Sequence, residues 1–258
     1  MRTLRQPQAV TGGIRLVNND GVTLTLGSLY VIETSSLQMR IPELAVGDAA
    51  GARKTGQVTP EPRTFSMRGF SNLNAPGYAT DINSVLALFA QPPVRMFFGV
   101  TPVDRYVKLD IASVAQSYQG KNGPQAVQLE LRALDPYTYE DSFRNKVFTG
   151  PSGTTFTVNN VSNVNVFPQL YFKGPGRNAR LTNLRTGLTA GVYENFPNAT
   201  LHCENYSIVG TTWDQILGQF GYRDFLAGWY LEPGVNTLQV EYQDLVHLSV
   251  TYQARWLL

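Results

Sequence analysis

The chain is poor in most of the side chains that do chemistry. Its 258 residues include one cysteine, Cys203, and two histidines, His202 and His247. One cysteine excludes an intrachain disulfide, and its ordinary role is that of a small buried hydrophobe. His202 and Cys203 are adjacent in "TLHCEN", so on a strand they point to opposite faces and cannot hold one metal together. No CxxC or HxxxH spacing occurs, which leaves a zinc site without ligands. No Gly-Lys-Ser/Thr phosphate loop and no G-x-S-x-G elbow occurs either. Catalytic, cofactor and metal residues are therefore expected to be absent.

Charge is also scarce. Asp, Glu, Lys and Arg make up 16% of the chain, with a net charge of +2. Residues 1–140 carry 13 basic and 11 acidic side chains, and the remainder 8 of each. Neither half has the cationic excess that phosphate-neutralising binding needs. No 18-residue apolar run appears, and "MRTLRQPQAV" lacks the apolar core of a signal peptide. The expectation is a protein made in a cytoplasm without a membrane anchor. The sequons at Asn160, Asn198 and Asn205 then read as chance.

What the chain does have is Gly (23), Pro (15), Tyr (13) and Phe (13), with 43% apolar residues. This is the composition of many short strands and turns. Period-two alternation runs through "VTLTL" (22–26) and "LYVIE" (29–33), which flank a Gly-Ser and read as a hairpin. It continues in "LQMRIP", "TFSMRGF", "VRMFF", "RYVKLDIASVA" and "AVQLELRAL". "ATDINSVLALFAQPP" breaks the rhythm. There Ile82, Val85, Leu86 and Phe89 follow helical spacing, Thr80 or Asp81 offers a cap, and Pro92-Pro93 ends the helix. Residues 47–62 have no apolar period and read as a mobile or contact-making loop.

"LDPYTYED" then stops the strand pattern. Pro136 has no N–H and holds Asp135 in extended or turn geometry. Tyr137, Tyr139 and Phe143 offer apolar bulk, with a polar handle on the two tyrosines, to seal a boundary. The expected division is 1–140, a β domain with one helix, and 141–258, a β-sandwich. Short strands resume in the second half with "TTFTV", "NVFPQLYFK", "ARLTNLRTG", "ATLHCENYSIVG", "NTLQVEY" and "HLSVTYQARW". A second helix is expected from Thr212, with a Thr-x-x-Gln capping box. In "LEPGVN", Pro233 presets a turn, Gly234 accepts positive φ, and Asn236 bonds nearby backbone. Trp213, Trp229 and Trp256 read more readily as core than as sugar-stacking rings.

Several of these motifs occur in an order that resembles the distal tail (Dit) proteins of long-tailed, siphovirus-type phages. The "R-x-F-S-M-R-G-F"-like strand, one helix and "PVRMFF…DRYVKLDIASV" resemble the family's ring-forming domain, with "DP-Y-x-Y" at its exit. "NVFPQLYFKGPGRNARLTNLRTG" resembles the opening of its second domain, and "FLAGWYLEPGVNTLQVEY" with "HLSVTYQARWL" its last strands. Segment 211–224 has no matching counterpart. The resemblance implies an N-terminal ring-forming β domain and a C-terminal galectin-like β-sandwich. It further implies a homo-hexameric structural adaptor of the virion tail tip, with no cofactor and no catalytic residue. Its partners would be the tail tube protein, the tail hub and a receptor-binding protein, with DNA only in transit. It marks Asp135, Pro136, Tyr137 and Tyr139 as a domain junction, and Pro233, Gly234 and Asn236 as a C-terminal turn. Two alternatives stay open: a carbohydrate-binding module of a tail tip, and another minor tail or tail-tube protein.

Overall fold

A computed structural model describes residues 10–11, 14–26, 30–34, 39–40, 43–44, 53–54, 59–60, 63–72, 78–98, 105–118, 124–212, 225 and 228–257. The chain divides into two compact units, residues 1–138 with 258, and 139–257. Each has its own core.

The first unit holds β1 (Val10–Thr11), β2 (Ile14–Val17), β3 (Thr23–Leu26), β4 (Tyr30–Thr34), β5 (Met39–Arg40), β6 (Glu43–Leu44), β7 (Arg53–Lys54), β8 (Thr59–Pro60) and β9 (Thr64–Asn72). Then come α1 (Tyr78–Phe89), β10 (Val94–Phe98), β11 (Arg105–Tyr118) and β12 (Pro124–Ala133). Its main sheet is antiparallel throughout, in the order β3-β2-β10-β11-β12-β9-β4-β1. One face of this sheet is apolar because the strands alternate. Ile14, Leu16, Phe65, Met67, Met96, Val107, Leu109, Leu129 and Leu131 bury there, under Val85, Leu88 and Phe89 of α1. At about 1.5–3 kcal/mol per fully buried large apolar side chain, this core dominates the stability of the unit.

The sequence reading needs three corrections here. The hairpin at the start joins β2 to β3, with Val17 opposite Thr23, and β4 pairs with β9 and β1 instead. The turn is "NNDG": Gly21 N donates to Asn18 O at 3.1 Å, and Asn18 Oδ1 accepts from Val22 N at 2.8 Å. Asn18 bonds the backbone of its own turn, the local chemistry that favours a reversal at this point. Second, α1 starts at Tyr78, so Thr80 and Asp81 lie in its first turn rather than at its cap. An acidic residue is favourable there too, near the positive end of the helix dipole. Third, the 47–62 stretch contains strand: β6 pairs with β7 and β5 with β8. The rest of that stretch lies outside the described residues.

The second unit holds β13 (Tyr137–Phe148, which begins just before it), β14 (Thr155–Asn160), β15 (Gln169–Asn183), β16 (Thr189–His202), β17 (Ser207–Val209), β18 (Gly234–Glu241) and β19 (His247–Leu257). Short strands form at β14, β17 and β18 as expected, but "NVFPQLYFK" and "ARLTNLRTG" run together into one long, bent strand, β15, and β16 is nearly as long. β15 and β16 pair along nearly their whole length, with register shifts at Lys173/Gly176 and Arg177/Ala179. The other side of β15 is shared, with residues 169–173 on β19 and 180–183 on β18. One half of the long hairpin thus belongs to the sheet β13-β19-β15-β16-β17 and the other half to a layer completed by β18 and β14. Bulges bend a strand and let it turn a corner between layers. The corner is tight: a Cβ on Gly174 would lie 1.9 Å from Pro197 O. Phe172, Val192, Phe196, Leu201, Trp229, Leu238 and Val250 meet in the single core that the layers enclose. The helix expected from Thr212, with Trp213, falls outside the described residues.

Candidate functional site

Around residue 135 the backbone does what proline chemistry requires. β12 ends at Ala133 and β13 starts at Tyr137. Between them Asp135 Oδ1 accepts a hydrogen bond from Tyr137 N at 3.0 Å, an Asx-turn across Pro136. Ala133 N and Leu134 N still donate to Arg63 O and Lys108 O, at 2.8 and 2.9 Å. Tyr137 is half-buried and Tyr139 is buried. Beyond them Glu140 is buried and held bidentately by Arg144, at 2.9 and 3.0 Å. That hydrogen-bonded carboxylate raises the pKa of the Arg144 guanidinium. Gln253 Nε2 donates to Glu140 O at 2.7 Å. Phe143 differs from its expected role. It is 68% exposed.

The "EPGVN" turn is the centre of a larger polar cluster. Gly234 has φ of 91°, a conformation that a residue with a Cβ rarely adopts. Asn236 is wholly buried, and its amide is fully used. Nδ2 donates to Glu232 O (2.8 Å) and Gly234 O (3.0 Å), while Oδ1 accepts from Glu232 N (3.0 Å). Oδ1 also accepts from Nδ2 of Asn183, 3.1 Å away and equally buried. Asn183 Nδ2 donates to Tyr230 O as well, and its Oδ1 accepts from Arg185 N. Arg185 Nη1 donates to Pro233 O (2.9 Å) and Val235 O (3.2 Å), and its Nε lies 2.5 Å from Glu232 Oε2. Pro233, Gly234 and Asn236 therefore come together and are locked onto the β15–β16 turn by Asn183 and Arg185. Sequence reasoning missed those two. They sit in the quoted "NLRTG", but their partners lie about fifty residues on.

Asn160 and Arg255 were missed as well. Asn160 is buried and donates to Val164 O and Leu231 O. Arg255, 8% exposed, donates to Asn165 O from Nε and Nη2 and to Glu204 Oε1 from Nη1. Its guanidinium also lies 5.3 Å from the Phe167 ring centre. An arginine inside "YQARWL" is the signal, since a cation on a core strand needs partners.

Two of the three tryptophans are committed to the interior. Trp229 is fully buried with Nε1 donating to Leu188 O, and Trp256 packs partly buried against the same core. Cys203 is buried, and burial pushes its thiol pKa up, which keeps it in the unreactive form. Among the described residues no group of three His, Cys, Asp or Glu could hold a metal ion. No described helix is long and apolar enough to cross a membrane. The bend of β15 and β16 borders a groove of about 540 Å³, lined by residues that include Pro175, Arg177, Phe196, Asp244 and Leu245. What the second unit presents is thus backbone-locking amides and open surface.

Together the units define a two-part, mainly antiparallel β protein with a helix on the sheet of its first part. In fold the chain is Dit-like. It is similar to the crystal structure of the Dit protein (gp 19.1) of phage SPP1, described as a paradigm of the hub adsorption apparatus in phages infecting Gram-positive bacteria. The TM-score is 0.68 at 15% identity, covering 94% of this chain and 99% of that one. It is also similar to a chain of the phage P2 baseplate in its activated conformation with Ca, with TM-score 0.50, 12% identity, and 93% and 97% coverage. No protein-family model and no curated protein matches the sequence.

Proposed function

We propose that this chain is a structural component of a phage tail tip, a Dit-like adaptor rather than an enzyme. In this reading six copies close into a ring that joins the tail tube to the hub and receptor-binding apparatus and leaves a lumen for DNA. The first unit forms the ring, and the second is a galectin-like sandwich. The observation that supports the reading is coverage. The likeness to SPP1 Dit takes in 94% of this chain and nearly all of the other, and so includes both units. A shared sandwich alone would match one unit. Head-to-tail contacts between identical copies make a closed ring when the rotation per copy closes. Such contacts would also occupy strand edges like that of β3, whose partner in the described chain is β2.

The test uses the full chain, because a cut near Ser142 would fall inside β13. Light scattering and negative-stain imaging are run on the protein alone and with the tail tube protein of the same phage. Six-fold rings in either sample are the expected outcome. A chain that stays monomeric in both, at concentrations well above those of assembly in a cell, would overturn the proposal.

A further inference from the structure

Seven successive residues of β13, 141–147, are exposed, between buried Glu140 and buried Phe148. A sheet packed on a core hides every second side chain, so this stretch presents both its faces. Alternation puts Asp141, Phe143, Asn145 and Val147 on one of them. Asn145 Oδ1 accepts from Thr251 Oγ1 of β19 at 3.3 Å, which leaves Phe143 and Val147 as the apolar residues of that face. Phe143 is 68% exposed, more than any other large hydrophobic side chain among the described residues. Aromatic side chains carry a large apolar area and are the usual anchors of protein interfaces.

The groove at the bend of β15 and β16 has the opposite shape. Pro175, Phe196, Pro197, Leu245 and Val246 line it, and Arg177 and Asp244 are its charged residues. Its volume of about 540 Å³ falls among pockets of about 300–1,000 Å³ that hold compact ligands. The three chain segments that frame it are tied together. Asn178 Oδ1 accepts from Glu194 N at 2.7 Å, and Asn178 Nδ2 donates to Gln243 Oε1 at 3.1 Å. Glu194 has φ of 61°, a left-handed conformation that residues with a long side chain rarely adopt. Such strain persists only where the surroundings hold it, and it gathers at binding sites. Two prolines and this amide bridge stiffen the groove before anything enters it, which lowers the cost of binding.

We propose that Phe143 of one copy docks in this groove of the next, so that the second units of neighbouring copies touch head to tail. The chain itself carries both halves of the contact. A knob and a hole on different parts of one surface join identical copies heterologously, and contacts of that kind build rings. Charge agrees with the fit. The groove has one cation and one anion, and Phe143 is flanked by Asp141 on its own face and Lys146 on the other. Arg177 is exposed, and Asp141, two residues before Phe143, brings a carboxylate to it. The contact gives the second unit a share in assembly. It rests on the head-to-tail association of the ring reading, though not on there being six copies.

Disulfide trapping tests the contact, because Cys203 is buried and does not compete. Phe143→Cys and Val246→Cys, made separately in the full chain, replace residues that are 68% and 52% exposed, so the core is spared. The two variants are mixed under mild oxidation, alone and with the tail tube protein of the same phage. A linked dimer is expected in the mixture, in at least tenfold excess over either variant by itself. In sedimentation Phe143→Ala should weaken association at least tenfold. Asp141→Arg should weaken it severalfold, and adding Arg177→Asp to the same chain should restore it. A mixture without that excess overturns the proposal, and so does a charge swap that restores nothing. Equal linking by one variant alone also overturns it, since that is a two-fold contact. Six-fold rings that persist unchanged in Phe143→Ala sink this contact and leave the ring reading standing. Linked dimers without rings uphold the contact and count against the ring.

Discussion

Replacing Asn236 by alanine tests whether the "EPGVN" turn is held by its buried amide or by backbone preference alone. The substitution removes four hydrogen bonds, of 2.8, 3.0, 3.0 and 3.1 Å, from a side chain with no solvent exposure. Each is worth about 1 kcal/mol net, and the partners left behind gain little from water at a closed site. Asn183 keeps its bond to Tyr230 O, which softens the loss. The expected cost is about 3 kcal/mol. The assay is urea unfolding followed by tryptophan fluorescence. All three tryptophans lie between residues 213 and 256, so the signal reports the second unit. With a urea slope of about 2 kcal/mol/M, the midpoint should fall by about 1.5 M. Asn236→Asp should cost at least as much, because a carboxylate would face the carbonyls of Glu232 and Gly234 with nothing to donate. Pairing Asn236→Ala with Asn183→Ala should show a coupling of about 1 kcal/mol, from the one bond they share. If Asn236→Ala unfolds within about 0.5 kcal/mol of the parent, like an ordinary surface change, the reasoning is wrong.

Three further outcomes follow from the same geometry. Gly174→Ala should cost the second unit about 3 kcal/mol, since its Cβ would overlap Pro197 O and only backbone movement relieves that; an unchanged urea midpoint refutes it. Cys203 should resist thiol reagents in the native protein and react fully in denaturant, because burial keeps its pKa high; rapid native labelling would contradict the packing. Burial also raises the pKa of Tyr252 above its ordinary 10, although nearby Arg144 pulls the other way. The unfolded chain therefore loses that proton first, and stability should fall as pH rises past 10. Tyr252→Phe should flatten that slope in alkaline urea titrations, and a slope equally steep in the variant counts against the assignment.

How much of this was legible depends on how far along the chain each cause lies from its effect. The alternation in "VKLDI" put Val107, Leu109 and Ile111 on one face; the first two are fully buried and Ile111 packs partly buried against the same core. The stripe on α1 was equally local, and Val85 and Phe89 are in the core. Errors began where two local signals competed. The Gly-Ser between two β-rich runs was read as the hairpin turn, while the turn that forms is "NNDG", between "IRLV" and "TLTL", and a pattern of apolar residues cannot rank the two. Turn chemistry can: Asn18 bonds across its own turn and so favours the second pairing before any long-range contact forms. The expected separation of "NVFPQLYFK" from "ARLTNLRTG" failed for the opposite reason. Gly and Pro ordinarily end strands, but here β15 runs through them, because bulges let one strand serve two layers. No local rule separates a break from a bend, since the deciding fact is which strand waits on the far side.

The amide lock lies at the far end of that scale. Asn183 and Asn236 are 53 residues apart, and each alone looks like a surface turn residue. Only the closing of β15 on β18 buries them together, and a buried amide is tolerable only when all its bonds are made. The same register logic sets the outward face of this unit, where Gln169 stands between Thr251 and His202, a neighbourhood that no single segment announces. Stability and surface chemistry in this unit therefore come from one source, the pairing of β15 with neighbours on both sides. A change that shifts that pairing by one residue would turn Gln169, Tyr171 and Lys173 toward the core and Leu170 and Phe172 to solvent, losing the fold and the face together.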